Sequence, residues 1–135
     1  MSATATALFG LVIVSIVLTF MIAGLRSAAL LGGKKAINDF DPGGADVSAL
    51  SRRVCRAHAN CYENLPLSAA VMLYAIATGQ TGITDSTAMW FLYARIAQAG
   101  IHVMSTSALA VYIRFALYVL QILILICWVY RFLAG

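Results

Sequence analysis

Residues 1–25 contain no charged side chain, and residues 7–25 are almost wholly apolar. A helix needs about 20 such residues to cross the hydrocarbon layer. A run this long, with no basic segment ahead of it, reads as a retained span rather than a cleaved signal peptide. The rest of the chain agrees. Apolar residues make up 62% of the 135 positions and charged residues 10%, against roughly 45–50% and about 25% in soluble domains. A single small domain cannot hide that much apolar surface from water. The composition excludes a soluble enzyme, a disordered tail and a disulfide scaffold. It points to one integral membrane domain covering residues 1–135.

Four helical spans are expected, over about 6–31, 51–78, 85–104 and 107–132. The long polar loop, 32–50, carries Lys34, Lys35, Asp39, Asp41, Pro42 and two Gly-Gly pairs. Pro66 lies inside the second helix and predicts a kink or local widening there. Thr84 or Asp85 is positioned to cap the third helix, and Ser107 the fourth. The expected fold is therefore an all-α, up-down-up-down bundle of four transmembrane helices.

The net charge of +4 is basic, and its placement argues for membrane orientation rather than nucleic acid. Arg26, Lys34, Lys35, Arg52, Arg53 and Arg56 flank or occupy the first loop, whereas the opposite end has only Arg131. The positive-inside bias predicts a cytoplasmic first loop and both termini on the other side.

Within this topology three polar stripes fall at overlapping depth. Arg56, Asn60 and Glu63 recur on one face of the second helix. Arg95, Gln98 and His102 do so on the third, and Arg114, Tyr118 and Gln121 on the fourth. A charge in mid-membrane costs about 2.5–3.5 kcal/mol on insertion scales, so such residues face a partner, a wet cavity or the bundle interior. Glu63 could pair with Arg95, while Asn60 and Gln121 join helices. One carboxylate cannot neutralise three guanidiniums. The excess positive charge, open at one end, suits an anionic ligand, although Arg56 and Arg114 could each snorkel to headgroups.

Other residues read more simply. His58 lies roughly opposite the stripe on the second helix and suits a helix–helix or interface bond. Tyr74, Trp90, Tyr93, Trp128 and Tyr130 are belt or packing aromatics. Cys55, Cys61 and Cys127 are odd in number and form no C-x-x-C, so they read as small hydrophobes. No metal-ligand cluster, catalytic triad or phosphate loop is present.

The second helix reads Arg53-Val-Cys-Arg56-Ala-His58-Ala-Asn60-Cys-Tyr-Glu63-Asn-Leu-Pro66. It resembles the signature R-A-[HQ]-x-N-x-x-E-x-x-P of the MAPEG family, membrane-associated proteins in eicosanoid and glutathione metabolism. Chain length, four spans, the polar first loop, Tyr93-Ala-Arg95 and Arg114 extend the likeness. The resemblance implies a homotrimer binding glutathione as cosubstrate between subunits near the cytoplasmic side, with no metal. It implies glutathione ligands at Arg56, Asn60 and Glu63, an aromatic beside the ligand at Tyr118, and a thiolate-stabilising catalytic residue at Arg114. Arg26 resembles a first-helix arginine that reaches the ligand. Gln98 and His102 depart from the family pattern at positions where eukaryotic members usually carry His or Tyr; His102 is counted among the expected ligand contacts, and Arg95, Gln98 and His58 as structural polar residues. Phe115 and Asn64 depart from the prostaglandin and leukotriene synthase branches respectively, which leaves the general transferase or peroxidase branch.

The resulting expectation is a glutathione-dependent transferase or peroxidase acting on a lipophilic small molecule that arrives from the lipid bilayer. The competing expectation is a non-catalytic binding, transport or structural protein whose polar stripes hold a trimer together. The topology is directly checkable. Cysteine introduced at Ser48 should label from the cytoplasm and cysteine at Thr84 from the opposite side; the reverse pattern would refute the orientation.

Overall fold

The computed structural model describes all residues, 1–135, as four long α-helices without strands. They are α1 (Ala3–Leu31), α2 (Ala49–Ala77), α3 (Asp85–Met104) and α4 (Ala108–Ala134), with one 3-10 turn, Thr81–Ile83, before α3. Of these, α1 and α4 are long and apolar enough to cross a membrane on their own. Helices α2 and α3 carry the polar stripes and are less apolar for that reason. α3 is the hub, packing against each of the other three, while α4 rests mainly on α3.

Serine caps set three of the helix starts. Ser2 Oγ accepts from Ala5 N–H, Ser48 Oγ from Ser51 N–H and Ser107 Oγ from Ala110 N–H, each satisfying a first-turn amide with no intrahelical partner. The Ser48 cap starts α2 two residues earlier than the apolar pattern alone predicts. α3 departs from expectation, since Thr84 makes no side-chain cap bond. Asp85 turns instead to the start of α1, where its Oδ1 accepts from Thr4 N–H at 2.8 Å and from Thr4 Oγ1 at 2.6 Å. A carboxylate there meets the positive end of the α1 dipole and ties α1 to α3. α2 continues through Pro66 as helix, and Ser68 Oγ donates to the carbonyls of Asn64 and Leu65 in that turn.

The polar loop is folded onto the bundle. α1 ends where Gly33 takes a φ of 70° and Lys34 N–H reaches back to Ala29 O at 3.0 Å, the left-handed stop that glycine permits. Gly44, at φ 73°, presses against α2 so closely that a Cβ would lie 2.7 Å from Cys55 Sγ. Lys35 pairs with Asp46 at 3.1 Å and Asp39 at 3.5 Å, the only ion pairs in the chain. The Asp41 N–H holds Asp46 below its ordinary carboxylate value, helped by Lys35, and Asp46 in turn raises Lys35. The Asp46 contribution is therefore present above the carboxylate range and lost as pH falls through its lowered value. That of Lys35 persists until pH rises past its raised value.

Two apolar clusters fill the interior. Ala7, Leu11, Met72, Phe91 and Trp128 belong to one at the end away from the loop. Leu18, Val54, Ala57, Cys61 and Ala99 form the other, nearer the loop. Trp128 is a core residue rather than a belt aromatic: its ring stacks obliquely on Phe91 and its Nε1–H donates to Thr87 Oγ1 at 2.8 Å. Only 26 of 135 residues are buried, and large side chains such as Phe20 (73% exposed) and Phe115 (65%) point outward. Outer faces of this kind suit lipid or other copies of the chain, not water.

The Asp85 bridge gives a stability test. Asp85→Ala leaves Thr4 N–H without its charged acceptor and should cost about 1–3 kcal/mol. Thermal unfolding in mild detergent should show the loss, while the helix content of the folded protein stays the same.

Candidate functional site

Between the two apolar clusters lies a polar layer. Arg95, one turn from Leu92 on one side and Ala99 on the other, is 3% exposed. Its Nη1 donates to Asn60 Oδ1 at 2.7 Å and to the Asn60 carbonyl at 3.5 Å. Glu63 does not pair with it. Glu63 is exposed and makes no ion pair, so the Glu63–Arg95 partnership that charge alone suggests is absent. The two share a face but lie about 60° apart around α2, and Asn60 stands on the side nearer α3 while Glu63 stands on the outer side. Beside Arg95 a cavity of about 10 Å³ is lined by Ser15, Cys61, Leu65 and Ser68, room for about one water.

The stripes of α3 and α4 meet side by side. Gln121 Nε2 donates to Gln98 Oε1 at 2.9 Å, with both side chains buried. It also donates to Leu117 O on its own helix, and Gln121 Oε1 is left without a partner. One turn toward the loop, Arg114 Nη1 lies 2.8 Å from His102 Nδ1. A guanidinium can only donate, so Nδ1 accepts and the ring proton sits on Nε2. Arg114 is thereby held in one orientation while its remaining N–H groups stay free. Tyr118 follows one turn along the same face, half-buried and without a hydrogen bond.

The sequence-nominated residues do not all converge. Arg114, His102, Gln98 and Gln121 come together, and Asn60 joins Arg95. Arg56 and Glu63 point out of the bundle on α2. Arg26 stands elsewhere: its Nη2 donates to Asp41 O at 3.3 Å, its guanidinium lies 5.7 Å from the Phe40 ring centroid, and it lines a cavity of about 370 Å³ with Thr19, Cys55 and His58. Within one chain, then, Arg26 does not reach the Arg56 side of α2. His58 donates through Nε2 to Thr19 Oγ1 at 3.2 Å, because the Thr19 proton is committed to Ser15 O.

Arg53 was legible only as positive charge. It is half-buried, and its Nε donates to Val103 O at 2.7 Å, locking α2 to the last turn of α3. Together with Ser48, Arg52, Arg56 and Thr106 it lines a cavity of about 520 Å³ at the loop end. Its spacing of three from Arg56 was the available signal, since that puts both on neighbouring faces of one turn.

Compared with known protein families, the chain matches the MAPEG family over residues 4–134, essentially its whole length. The fold and the matched span together define a membrane protein of helical-bundle class, and the chain belongs to the MAPEG family. No curated protein and no solved structure matches it.

The two candidate partners of Arg95 are separable by mutation. Asn60→Leu should destabilise the protein by about 1.5–3 kcal/mol, because a buried guanidinium loses its one side-chain acceptor and keeps only the long contact to the backbone carbonyl. Glu63→Gln should shift stability by no more than about 0.5 kcal/mol, as for an exposed residue without partners. Thermal melts of both variants in the same detergent check the pair.

Proposed function

We propose that this chain is a multi-pass membrane enzyme, a glutathione-dependent transferase or peroxidase, working as a homotrimer with its polar loop toward the cytoplasm. The observation that carries the reading is Arg114, a free guanidinium face inside the polar layer, held in place by His102. Membership of the MAPEG family adds the glutathione-related chemistry. Glutathione presents two carboxylates, one amine and a thiol. Arg56 and Glu63 offer complementary charges, Tyr118 an apolar wall, and His102 Nε2–H a further donor. Asn60, committed to Arg95, contributes chiefly by fixing the height of that face.

The outward faces of α2 support a site at the subunit boundary. Arg56 and Glu63 face outward from one side of α2, and the Arg26–His58 cavity opens on another. Each protomer therefore offers two partial sites, which neighbours in a ring could complete. Outward arginines also need cover from lipid, and one four-helix unit gives little.

In chemical terms, a cysteine thiol with a pKa of about 8.5 is only a few per cent ionised at neutral pH. A guanidinium beside the sulfur stabilises the thiolate, and a two-unit shift needs about 2.7 kcal/mol of differential stabilisation. In a transferase reaction the sulfur lone pair forms the new C–S bond and the electrophile's leaving group departs with its bonding pair. As a peroxidase, two glutathiones are oxidised to the disulfide while the hydroperoxide is reduced to alcohol and water. Apolar substrate would arrive laterally from the bilayer and the thiol from the aqueous side.

A second reading is favoured by one specific observation: Asn60–Arg95 and Gln98–Gln121 are spent on each other, as in a protein whose polar residues only join helices. Arg114 separates the two readings. Arg114→Lys should lose much of the activity and Arg114→Leu nearly all, because planar orientation matters as well as charge. The apparent thiol pKa of bound glutathione, followed by thiolate ultraviolet absorbance, should be depressed in the parent protein and rise toward the free value in Arg114→Leu. A titration curve that stays put, in a variant that still binds glutathione, would return Arg114 to a structural role.

A further inference from the structure

The cavity at the loop end of α2 is lined by three guanidiniums and no carboxylate. Its walls come from the first two turns of α2 (Ser48, Arg52, Arg53, Arg56) and from Thr106 in the α3–α4 turn. None of the loop's carboxylates lines it: Asp39 and Asp46 are engaged by Lys35, and Asp41 Oδ2 accepts from Gly43 N–H. Arg53 is not a mobile surface residue; its Nε is anchored on the Val103 carbonyl at 2.7 Å, which leaves its terminal N–H groups to the cavity. The Ser48 oxygen already accepts from Ser51 N–H, so its hydroxyl proton is free to donate. Thr106 makes no hydrogen bond within the chain and adds a second hydroxyl. The cavity thus gathers three cations, two hydroxyls and the positive end of α2.

We propose that this cavity binds the phosphate of an anionic membrane lipid. Several donors converging from different directions match a tetrahedral phosphate better than a planar carboxylate, and arginine forks suit phosphate oxygens. The depth fits as well. Ser48 and Thr106 mark helix termini, so the cavity lies at the level where a bundle meets the headgroups. Basic pockets between helix ends at that level are suited to lipid phosphates. A zwitterionic headgroup would bring its own cation against three guanidiniums, so a net negative lipid is selected. Arg56 forms the inner wall, which makes this site a neighbour of the thiol site proposed above; Arg52 belongs to the lipid site alone.

The test uses the full chain in nanodiscs of phosphatidylcholine, with and without phosphatidylglycerol, and counts lipids retained by native mass spectrometry. Phosphatidylglycerol should be retained over phosphatidylcholine. Arg52→Gln, at an exposed position without hydrogen bonds, should lower retention about fivefold. Lys34→Gln removes the same charge from the same end of the bundle and should leave retention unchanged. Equal loss in both variants would show diffuse attraction and overturn the site. Equal retention of both lipids would overturn it too. Inorganic phosphate should displace the lipid only at high concentration; displacement at trace levels would identify a soluble phosphate as the occupant and overturn the lipid assignment. Glutathione affinity, measured on Arg52→Gln in parallel, should not change, so the outcome stands or falls apart from the thiol chemistry.

Discussion

A guanidinium that is almost fully buried between apolar clusters sets the terms for the rest of the bundle. Arg95 stays charged under all ordinary conditions, and an unpartnered charge in such surroundings costs several kcal/mol. Its acceptors are the two oxygens of Asn60, one from the side chain and one from the backbone. A neutral acceptor leaves the positive charge uncancelled, so the polar layer remains electropositive. A carboxylate in that place would have erased the field that an anionic ligand needs. The Asn60 contact also fixes the rotation of α2 about its axis. With Asn60 turned in, Ala57 and Cys61 are buried, and Arg56 and Glu63 are turned out.

The helices divide the work accordingly. α1 and α4 are the apolar pair, able to face lipid along most of their length. α2 and α3 carry the polar groups, and α3 sits where it can distribute them. Arg95 joins α3 to α2, while Gln98 and His102 join it to α4. At the far end Asp85 joins α3 to α1. Each contact uses a different residue of one helix, so the register of α3 is pinned against three neighbours at once. A slide by one residue would turn its buried polar groups by about 100° and leave them unpaired.

Much of this was readable from the residues. The apolar runs located the helices, because burial in lipid demands long uninterrupted helix, and of the three serine caps Ser107 was legible whereas Ser2 and Ser48 were not. The stripes on α3 and α4 were visible as spacing, and they do meet. The partnerships were less legible. Charge pointed to Glu63 for Arg95, whereas Asn60, on the side of α2 nearer α3, takes the contact. Asp85 looked like a cap for its own helix and serves the start of α1, a contact across 81 residues of sequence that no local pattern encodes. Arg26 resembled a ligand contact, yet within one chain it is held by the Asp41 carbonyl and the Phe40 ring. Spacing reports which residues share a face; it does not report which face a neighbouring helix presents.

The same reasoning bears on why His102 accompanies Arg114. A lone guanidinium near the headgroup region has many rotamers and would follow lipid phosphates outward. An imidazole nitrogen accepting at 2.8 Å offsets that tendency and holds the charge within the layer. A carboxylate could anchor it more strongly, but would neutralise the charge it positions. A neutral imidazole anchors without cancelling, and its second nitrogen still donates. Asn60 plays the corresponding part for Arg95 deeper in the bundle. Both arginines are thus anchored by neutral acceptors, which position the guanidinium while its charge persists. That combination joins the helices and leaves the layer electropositive at the same time.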